Sequence, residues 1–531
     1  MEPQRTGPEA PLPRTDALPK AALVLAVPLA VATGGAHALS FAPFDMPAVQ
    51  IAALAVLITL VQLQPSWRHA AAMGFAFGLG WFGTGVNWVY ISLHDFGGLA
   101  AWLATLATAA LTAVLAAFPA LAAGAAYRAS NRPVLRLLLA WPGAWALSEW
   151  LRGTVLTGFP WIASGYAHTN GPLAGYAPLA GVYGLCLICA VVAGAFAAAL
   201  AQPRSTMSPT TRAGALAVAV LLLVGGQMLV GRQWTHPIGA PLQVKLIQGD
   251  IAQDLKFGEG GTDLALERYF TLMPDPASLH SDLVVLPESA FPLPLDDLPP
   301  DARERLLDFP RRHDTALIFG VFLEHPAGDF YNSAVGLQDS EALQQYSKRH
   351  LVPFGEFIPF GFRWFVDLMR IPIGDQHRGA DYQAPMQLAG QRIAVNICFE
   401  DLFGAEIIRA WQDPARAPTM LLNLSNLAWF GNSIALPQHL QISRMRALET
   451  GRPVLRATNT GATAIVDPQG RVQGVLPYNL IATLRGEVRG YEGRTPYVIA
   501  GNAPALALAI ALYACALAAR RNRLTASLAG R

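Results

Sequence analysis

The stretch Arg392-Ile-Ala-Val-Asn-Ile-Cys-Phe-Glu-Asp401 decides the fold of the region around it. Residues 393–397 form a short apolar run that is typical of a buried strand. Cys398 follows directly, on the turn into the next element, where a thiol is well placed to act as a nucleophile. An isolated cysteine is more often a small apolar core residue, so the interpretation of Cys398 depends on the rest of the chain.

The composition divides the chain into a membrane half and a water-soluble half. Its 531 residues are 53% hydrophobic and 14% charged, with a mean hydropathy of +0.34, which is too apolar for an ordinary soluble enzyme. Of the 36 acidic residues, six lie in residues 1–241 and thirty in 242–531. The net charge of +2 gives no reason to expect a nucleic-acid partner.

Eight apolar runs are candidate membrane spans, since a span needs roughly 20 mostly apolar residues. They are residues 21–39, 47–63, 69–91, 97–124, 134–151, 173–201, 213–231 and 503–519. Seven spans before a large domain and one after it put both termini on the same side of the membrane. The first run resembles a signal peptide, but its length and the six following spans favour an uncleaved anchor.

The basic residues indicate which side is cytoplasmic. The termini and the loops on their side are rich in Arg and Lys, whereas the opposite short loops 40–46, 92–96 and 152–172 carry only Arg152. The sequence therefore predicts a membrane protein with both termini in the cytoplasm and the large domain facing outward. The predicted parts are a cytoplasmic tail at 1–20, a seven-span domain at 21–241, an extracytoplasmic domain at 242–496, an eighth span at 497–519 and a basic tail at 520–531.

Cysteine positions favour a chemical role for Cys398. Cys186, Cys189 and Cys515 fall inside predicted spans, so the chain cannot build a disulfide scaffold in the outer domain. Cys186 and Cys189 share a helix face, where small apolar packing is favoured over metal binding. An unpaired thiol in an oxidising compartment is a liability, which indicates that Cys398 is kept for its reactivity.

Few polar residues lie in the predicted spans. Asn87, Glu149 and Arg152 are candidates for function, because an embedded charge is costly. Glu149 and Arg152 are three residues apart near an interface, which favours a snorkelling pair over a substrate pathway. No span carries the charged relay expected of a pump.

The outer domain alternates strands and helices, which predicts an α/β layer arrangement with a mixed sheet. Strand-like runs are residues 244–248, 283–286, 316–321, 393–397, 420–424 and 462–466, and helical patterns are about 262–273, 301–312, 403–411 and 437–450. The last helix has an apolar face, with Arg444 and Arg446 predicted among the polar positions.

Two further stretches contain ionisable residues among apolar residues and prolines. Residues 282–292 place Glu288 after a β-rich run that Pro287 closes, and residues 346–359 contain Lys348 and Glu356. Taken singly, Glu288 and Lys348 are most simply surface charges. Together with Cys398 they make a specific Glu, Lys and Cys set.

With these motifs the chain resembles the nitrilase (carbon–nitrogen hydrolase) superfamily, and most of all its membrane branch, the apolipoprotein N-acyltransferase family. The resemblance covers essentially the whole chain. Its densest motifs are LPESAFP (286–292), KRHLVPFGEF (348–357), residues 398–400, NLAWFG (426–431) and RATNTGATAIVDPQG (456–470). The resemblance implies a domain that is an αββα sandwich.

The resemblance also implies roles for individual residues. Glu288, Lys348 and Cys398 match the catalytic triad of the superfamily, and Glu356 matches its additional essential acid. The supporting positions that the resemblance implies are Phe399, Glu400, Asn426 and Trp429, the last near the mouth of the site.

Three positions depart from the family pattern. Phe399 stands where Tyr is general, Phe257 where Trp is frequent, and Leu427 where Asp is usual. The aromatic changes keep bulk and lose a polar handle. They leave the triad intact and affect how tightly substrates bind or which substrates are preferred.

The residue types predict acyl transfer through a thioester. A thiol pKa of about 8.5 falls beside an ammonium such as that of Lys348, which would also hold the oxyanion. Glu288 would act as general base and acid, and Glu356 would orient Lys348 or an attacking group.

The family resemblance supplies the substrates. It implies a phospholipid acyl donor and, as acceptor, the N-terminal amine of the diacylglyceryl-cysteine of a lipoprotein, both at the membrane. No cofactor or metal is expected, since none of the eleven His shows a ligand spacing such as HxxxH and the site holds no second cysteine.

The segment 354–365 contains six aromatic residues in twelve, which are Phe354, Phe357, Phe360, Phe362, Trp364 and Phe365. They are either buried core or an apolar flap at the bilayer surface that admits acyl chains. Gly355 and Gly361 would permit bending. The candidate acyl-admitting residues are Phe357, Phe360, Phe362 and Trp364.

Two other functions remain open. A membrane-tethered amidase or nitrilase would share the triad and use water as second substrate. A transporter or lipid-binding scaffold with an inactive enzyme domain is the other. The predicted spans and the motif fit argue against the first, and the intact triad and the lack of embedded charges argue against the second.

Overall fold

The computed structural model describes residues 20–200, 207–326, 328–339, 342–361, 363 and 376–529. The longer helices of the membrane half are α1 (Lys20–Ala38), α2 (Pro47–Gln62), α3 (Trp67–Gly85), α4 (Ala101–Ala129), α5 (Trp141–Arg152), α6 (Ala177–Ala199) and α7 (Pro209–Leu229). In the outer domain they are α8 (Gly261–Leu272), α9 (Pro300–Leu307) and α10 (Ala435–Thr450), and α11 (Ala503–Ala529) follows. A helix therefore occupies each predicted span.

Four helical segments of the described chain are long and apolar enough to cross a membrane. They are Ala101–Ala129, Pro172–Ala199, Pro209–Leu229 and Ala503–Arg520. The apolar parts of α1 and α2, Leu25–Ala38 and Pro47–Gln62, are shorter. These helices are those of a membrane protein, and eight complete crossings stay a prediction.

The membrane helices approach one another closely at glycines. A Cβ atom at Gly80 of α3 would lie 1.9 Å from the carbonyl oxygen of Val31 in α1. On another part of α3, a Cβ at Gly74 would lie 2.3 Å from the carbonyl oxygen of Pro119 in α4. Small residues drive helix association in lipid because they permit close backbone packing. Here they hold α3 between α1 and α4.

The outer domain contains two six-stranded sheets. The first has the order β12-β1-β2-β3-β4-β5 and the second β11-β10-β9-β8-β7-β6. The first six strands are β1 (Thr235–Gln248), β2 (Leu283–Val285), β3 (Ala316–Glu324), β4 (Phe330–Leu337), β5 (Gln344–Ser347) and β6 (Met386–Leu388). The other six are β7 (Gln391–Ile397), β8 (Met420–Ser425), β9 (Val454–Thr458), β10 (Ala464–Val466), β11 (Val472–Val475) and β12 (Ala482–Gly493).

The two sheets pack face to face with helices outside them. β1, β2 and β3 are parallel, as are β7, β8 and β9, and the flanking pairs are antiparallel. Buried residues of both sheets, such as Val285 and Leu422, share one core. A second core joins the first sheet to α8 and α9, and a third joins the second sheet to α10. The predicted αββα sandwich with mixed sheets is confirmed.

Helix α10 joins the outer domain to the membrane helices, and we call its contacts with them the joint. Gln438 accepts hydrogen bonds from the indole N–H groups of Trp88 (3.2 Å) and Trp161 (2.8 Å) and donates to the carbonyl of Gly85 (3.1 Å). One turn further on, the Gln441 amide group donates to Asp45 at 3.0 Å. A single apolar core runs across the joint.

Arg446, one of the polar positions predicted for α10, does not lie at the surface. Arg446 and Glu449 are both fully buried in the joint, with Nη2 3.0 Å from Oε2. The other Glu449 oxygen accepts a hydrogen bond of 2.7 Å from the backbone N–H of Val182 in α6. The second face of α10 meets the membrane helices instead of water, and apolar periodicity alone does not reveal this contact.

The prediction of a snorkelling pair at Glu149 and Arg152 is wrong. Both side chains are buried, and Arg152 Nη2 lies 2.5 Å from Glu149 Oε2. The chain after α5 folds back over the helix end. Arg152 therefore donates to the carbonyls of Phe159 (2.5 Å) and Trp161 (3.0 Å) instead of reaching the interface.

Candidate active site

The three triad candidates each follow the carboxyl end of a strand. Glu288 lies three residues after β2, and Lys348 and Cys398 come directly after β5 and β7. β5 is antiparallel to β4, which is antiparallel to β3, so β5 runs in the same direction as β2 and β3. The carboxyl ends of strands that run the same way share one edge of a sheet. The topology therefore brings Glu288 and Lys348 together.

Glu288, Lys348 and Glu356 form a buried group that we call the carboxylate–lysine cluster. Lys348 Nζ lies 2.7 Å from Glu356 Oε1 and 3.2 Å from Glu288 Oε1. The Asn332 amide donates to the same two oxygens, at 2.8 Å for Glu288 and 3.2 Å for Glu356. Asn332 was not among the predicted residues, since nothing in sequence marks a strand asparagine as a bridge between two carboxylates.

Backbone groups hold the remaining carboxylate oxygens of the cluster. Asn426 donates its backbone N–H to Glu288 Oε2 at 2.7 Å, and Val352 donates to Glu356 Oε2 at 2.8 Å. The Asn426 side chain donates to Gln253 at 2.8 Å and accepts from Asn459 at 3.0 Å. Asn426 thus positions Glu288 through its main chain, and its amide fixes the loop after β8.

Opposing charges keep Lys348 protonated. Burial disfavours the ammonium, but the charges of Glu288 and Glu356 outweigh burial and raise the pKa of Lys348 above its ordinary value. The cluster therefore holds one cation between two carboxylates and has a net negative charge.

Cys398 stands on a tight turn beside this cluster. Its backbone adopts a left-handed conformation with φ 52°, and its carbonyl oxygen accepts from Asn423 Nδ2 at 3.3 Å. The thiol is half-buried. Left-handed backbone at a non-glycine residue carries strain and is frequent at functional sites.

The sequence predicts that Lys348 lowers the pKa of Cys398, but the net shift is upward. Burial and the charge of Glu288 raise the pKa of the Cys398 thiol well above its usual value, and Lys348 opposes them without prevailing. The resting group is a thiol rather than a thiolate. Nucleophilic attack by Cys398 therefore requires a base to remove its proton.

Glu400 ties the nucleophile turn to the lysine loop and lies behind the site. It is buried, and burial raises its pKa although backbone N–H groups act in the other direction. Its four donors are the N–H groups of Ile397 (2.7 Å), Arg349 (2.7 Å) and His350 (3.0 Å) and the hydroxyl of Tyr346 (2.8 Å).

Two of the predicted supporting aromatics lie where the outer domain meets the membrane helices. Phe399 is buried, with ring centroids 5.3 Å from Phe403 and 6.4 Å from Phe159. Trp429 is half-exposed, and its carbonyl accepts a 2.7 Å hydrogen bond from Ser92. Of the other two departures from the family pattern, Phe257 is exposed and Leu427 is fully buried.

Two further residues of the site, besides Asn332, were missed by sequence reasoning. Lys256 is fully buried and donates to the backbone carbonyl of Glu288 at 3.1 Å. Burial lowers its pKa to about 8, against the opposing charge of Glu288. Gly320 of β3 lies under the same segment, since a Cβ there would stand 2.5 Å from the carbonyl oxygen of Pro287. A glycine inside a strand signals close backbone approach and could have been noticed.

The aromatic segment is described only in part. Phe362 and Trp364 lie outside the described residues. Phe357 is half-buried, with the Arg378 guanidinium 5.0 Å from its ring centroid. Phe360 is fully exposed, which does not fit the buried-core interpretation for that residue. Admission of acyl chains by this segment stays a prediction.

Within the part of the chain that the structure describes, no group of three or more His, Cys, Asp and Glu side chains is arranged to hold a metal ion. Cys186 and Cys189 are both buried in α6 as free thiols.

Comparisons with known proteins agree with both halves of the chain. A family model described as the N-terminal domain of apolipoprotein N-acyltransferase matches residues 33–195, and one described as carbon-nitrogen hydrolase matches residues 199–489. An apolipoprotein N-acyltransferase of Ralstonia nicotianae is 48% identical over 510 residues, covering 95% of this chain and 96% of that protein. One from Bordetella bronchiseptica is 44% identical, covering 93% and 96%, and one from Nitrosomonas europaea is 43% identical, covering 93% and 97%.

Proposed function

Because the chain belongs to the apolipoprotein N-acyltransferase family, we propose that it moves an acyl chain from a phospholipid to the N-terminal amine of the diacylglyceryl-cysteine of a lipoprotein. The observation that carries this proposal is the half-buried Cys398 beside a buried carboxylate–lysine cluster. The joint supports a lipid substrate, since it fixes this site against membrane helices.

The first half-reaction forms a thioester. Glu288 takes the proton of the Cys398 thiol, and the sulfur attacks the ester carbonyl of the phospholipid. Lys348 donates hydrogen bonds to the oxyanion, and Glu356 holds that ammonium in place through its 2.7 Å contact. When the carbon–oxygen bond breaks, Glu288 returns the proton to the alcohol of the departing lysophospholipid.

The second half-reaction forms an amide. The amine of the acceptor attacks the thioester, and Glu288 takes one of its protons. Collapse of the tetrahedral intermediate breaks the carbon–sulfur bond, and the proton held by Glu288 restores the thiol of Cys398. The two transfers balance, so no cofactor is consumed.

The proposed setting is the inner membrane of a bacterium with eight spans, both termini in the cytoplasm and residues 242–496 in the periplasm. The asymmetry of Arg and Lys between the two sets of loops supports this orientation. A protease added to spheroplasts should cut the 242–496 domain and leave both termini intact. Cleavage of the termini alone would show that the chain has the opposite orientation.

For acyl admission we propose the exposed end of the aromatic segment. Phe360→Ala should leave the melting temperature unchanged, since an exposed side chain contributes little to folding. It should slow thioester formation from phospholipid while Cys398 still reacts normally with iodoacetamide. Early melting of this variant would contradict the proposal.

Incubation with labelled phospholipid, with and without a diacylated lipopeptide, tests the function. We expect labelled lipopeptide when both substrates are present and an acylated protein with phospholipid alone. Free fatty acid in place of labelled lipopeptide would indicate a hydrolase of the amidase type. Absence of any reaction would indicate a scaffold with an inactive enzyme domain.

A further inference from the structure

A buried polar network lies behind the turn that carries Cys398, and the proposed reaction steps do not use it. The backbone carbonyl oxygen of Cys398 lies 3.2 Å from His439 Nε2 of α10 and accepts a 3.3 Å hydrogen bond from Asn423 Nδ2 of β8. Both of these side chains also contact the guanidinium of Arg456 in β9. Asn423, His439 and Arg456 are fully buried, and we call them the Arg456 network.

Arg456 determines which ring nitrogen of His439 carries the hydrogen. A guanidinium only donates hydrogen bonds, and Arg456 Nη2 lies 2.5 Å from His439 Nδ1, so Nδ1 is an acceptor. Burial and the charge of Arg456 hold the pKa of His439 well below its ordinary value, which keeps the ring neutral. The hydrogen of the neutral ring is therefore on Nε2, and His439 donates it to the carbonyl oxygen of Cys398.

The same guanidinium orients Asn423. Arg456 Nη1 donates to Asn423 Oδ1 at 3.0 Å, and the Ser425 hydroxyl donates to that oxygen at 2.6 Å. With its amide oxygen directed to these donors, Asn423 presents its amide nitrogen to Cys398. One cation thus directs two neutral donors at a single carbonyl oxygen.

Further contacts hold the network in one geometry. Arg456 Nη1 also donates to the Ser443 hydroxyl at 3.0 Å and lies 3.8 Å from Asp401 Oδ2. The His439 ring stacks on Trp161 of the membrane half, with ring centroids 5.4 Å apart and an interplanar angle of 10°. The network is therefore supported by the outer domain on one side and by the membrane half on the other.

The turn at Cys398 needs such support. Its left-handed backbone, with φ 52°, is strained for a residue other than glycine. Strained backbone persists where the surrounding structure over-determines it. The hydrogen bonds from His439 and Asn423 go to the carbonyl of Cys398 and fix the peptide plane that follows the nucleophile.

We infer that Asn423, His439 and Arg456 are positioning residues for Cys398, which hold the left-handed turn and with it the place of the sulfur beside the carboxylate–lysine cluster. They act through the main chain of the nucleophile and take no proton from it. The expected effects on reaction rate rest on the proposed acyl transfer, whereas the expected effect on the Cys398 carbonyl does not.

Two amide variants of His439 in the full chain test its donor. His439→Gln places an amide nitrogen where Nε2 stands and keeps the donor to Cys398, whereas His439→Asn is one methylene shorter and keeps only a partner for Arg456. Both lose the ring that stacks on Trp161. His439→Asn should lower the rate constant of thioester formation at saturating dioleoyl phosphatidylglycerol by about tenfold to a hundredfold, since a misplacement of about 1 Å costs up to the latter. The half-saturating lipid concentration should not change, and His439→Gln should restore most of the rate.

A second pair of variants tests the cation. Arg456→Lys loses the fork that reaches both donors, and should lower the rate constant as His439→Asn does. Arg452 is also buried but donates to the backbone carbonyls of Pro418 and Gly493, so Arg452→Lys is the matched control. We expect the control to lower the melting temperature and to keep the rate constant of thioester formation.

Infrared spectra of protein labelled with carbon-13 at the cysteine carbonyls report the hydrogen bond directly. Loss of a hydrogen bond raises the stretching frequency of a carbonyl group. The Cys398 band should therefore move to higher frequency in His439→Asn and stay in place in His439→Gln. Cys186, Cys189 and Cys515 lie in membrane helices, so their bands should cancel in the difference spectrum.

Three results would overturn the inference. These are equal rate constants for the two His439 variants, an unshifted Cys398 band in His439→Asn, and a raised half-saturating lipid concentration with an unchanged rate constant. Absence of thioester formation by the wild type would instead contradict the proposed function. The infrared spectra would still decide whether His439 holds the Cys398 carbonyl.

Discussion

This protein contains two buried groups of charged side chains, one beside the candidate nucleophile and one in the joint. The carboxylate–lysine cluster lies next to a half-buried cysteine, and the Lys348 ammonium lies within 3.2 Å of both carboxylates. In the joint, Arg446 and Glu449 are fully buried, and Glu449 also accepts from the backbone of α6. The first group has one more carboxylate than cations, so one carboxylate is available as a base for Cys398. In the second group each charge is paired, and the pair connects two parts of the chain. Burial of charge therefore does not by itself identify a catalytic site.

The largest expected effect comes from removing the nucleophile. Cys398→Ala should abolish acyl transfer and leave the melting temperature unchanged. The small side chain is half-buried, and the hydrogen bond from Asn423 is accepted by the main-chain carbonyl, which the substitution keeps. Mass spectrometry of the wild type with phospholipid alone should find the acyl group on Cys398. Acyl transfer by the alanine variant would show that Cys398 is not the nucleophile.

Glu288→Gln should lower acyl transfer by about 10²–10⁴-fold, the range typical of a lost general base. Its effect on a simple alkylating reagent should have the opposite sign. The Glu288 charge raises the pKa of Cys398, so its removal should lower that pKa and speed reaction with iodoacetamide. Measuring the rates of acyl transfer and of alkylation across pH 7–10 tests whether the first decreases while the second increases. A parallel decrease in both would indicate a misplaced thiol instead.

Breaking the joint should affect stability more than chemistry. Arg446→Met leaves a buried carboxyl without its cation, and breaking such a pair costs about 3–5 kcal/mol. Glu449→Gln should cost less, since burial raises the Glu449 pKa to about 7 and the amide resembles its protonated form.

The raised pKa of Glu449 also predicts how the stability of the protein changes with pH. The folded state keeps this proton where the unfolded state has lost it, so the contribution of Glu449 to the free energy of unfolding should decrease as pH rises from about 4.5 toward 7. Melting curves of the wild type minus those of Glu449→Gln measure it. A difference that grows with pH in favour of the wild type would contradict this assignment.

The smallest expected effect concerns Lys256, which lies beside the cluster and donates to the backbone carbonyl of Glu288 rather than to its carboxylate. Lys256→Met should lower the free energy of unfolding by about 1–3 kcal/mol, because that buried acceptor loses its donor. Acyl transfer should fall by less than about tenfold, the equivalent of 1.4 kcal/mol. A loss as large as that of Glu288→Gln would make Lys256 part of the cluster.

The sequence predicted those parts of the fold and site whose signal is local. Strands β2, β7 and β8 are buried apolar runs, and the residues that follow β2 and β7 are Glu288 and Cys398. The sequence missed six strands, which are β4, β5, β6, β9, β11 and β12. Two of them show why: β5 is polar, and β12 is half-exposed and contains glycines. Neither carries the apolar periodicity that marks a strand.

The remaining omissions have one physical cause. Asn332, Lys256 and Arg446 are polar residues whose partners are distant along the chain. Their burial depends on which element packs against them, and a hydrophobic pattern contains no such information. The sequence does not distinguish a buried lysine from an exposed one. Lys256 was recognised as part of the site only from its contact with Glu288 in the structure.

The hydrogen bonds of Gln438 have a consequence for how substrates meet the enzyme. Because α10 is hydrogen-bonded to Trp88, Trp161 and Gly85, and its His439 contacts the backbone carbonyl of Cys398, the Cys398 turn is held at a constant height above the apolar helices. A nucleophile at constant height cannot travel into the lipid layer. Each reacting carbonyl or amine must instead rise to that height by its own displacement along the membrane normal. Selection between lipids would then depend on how far each lipid must be lifted, a quantity set by the bilayer as much as by the protein.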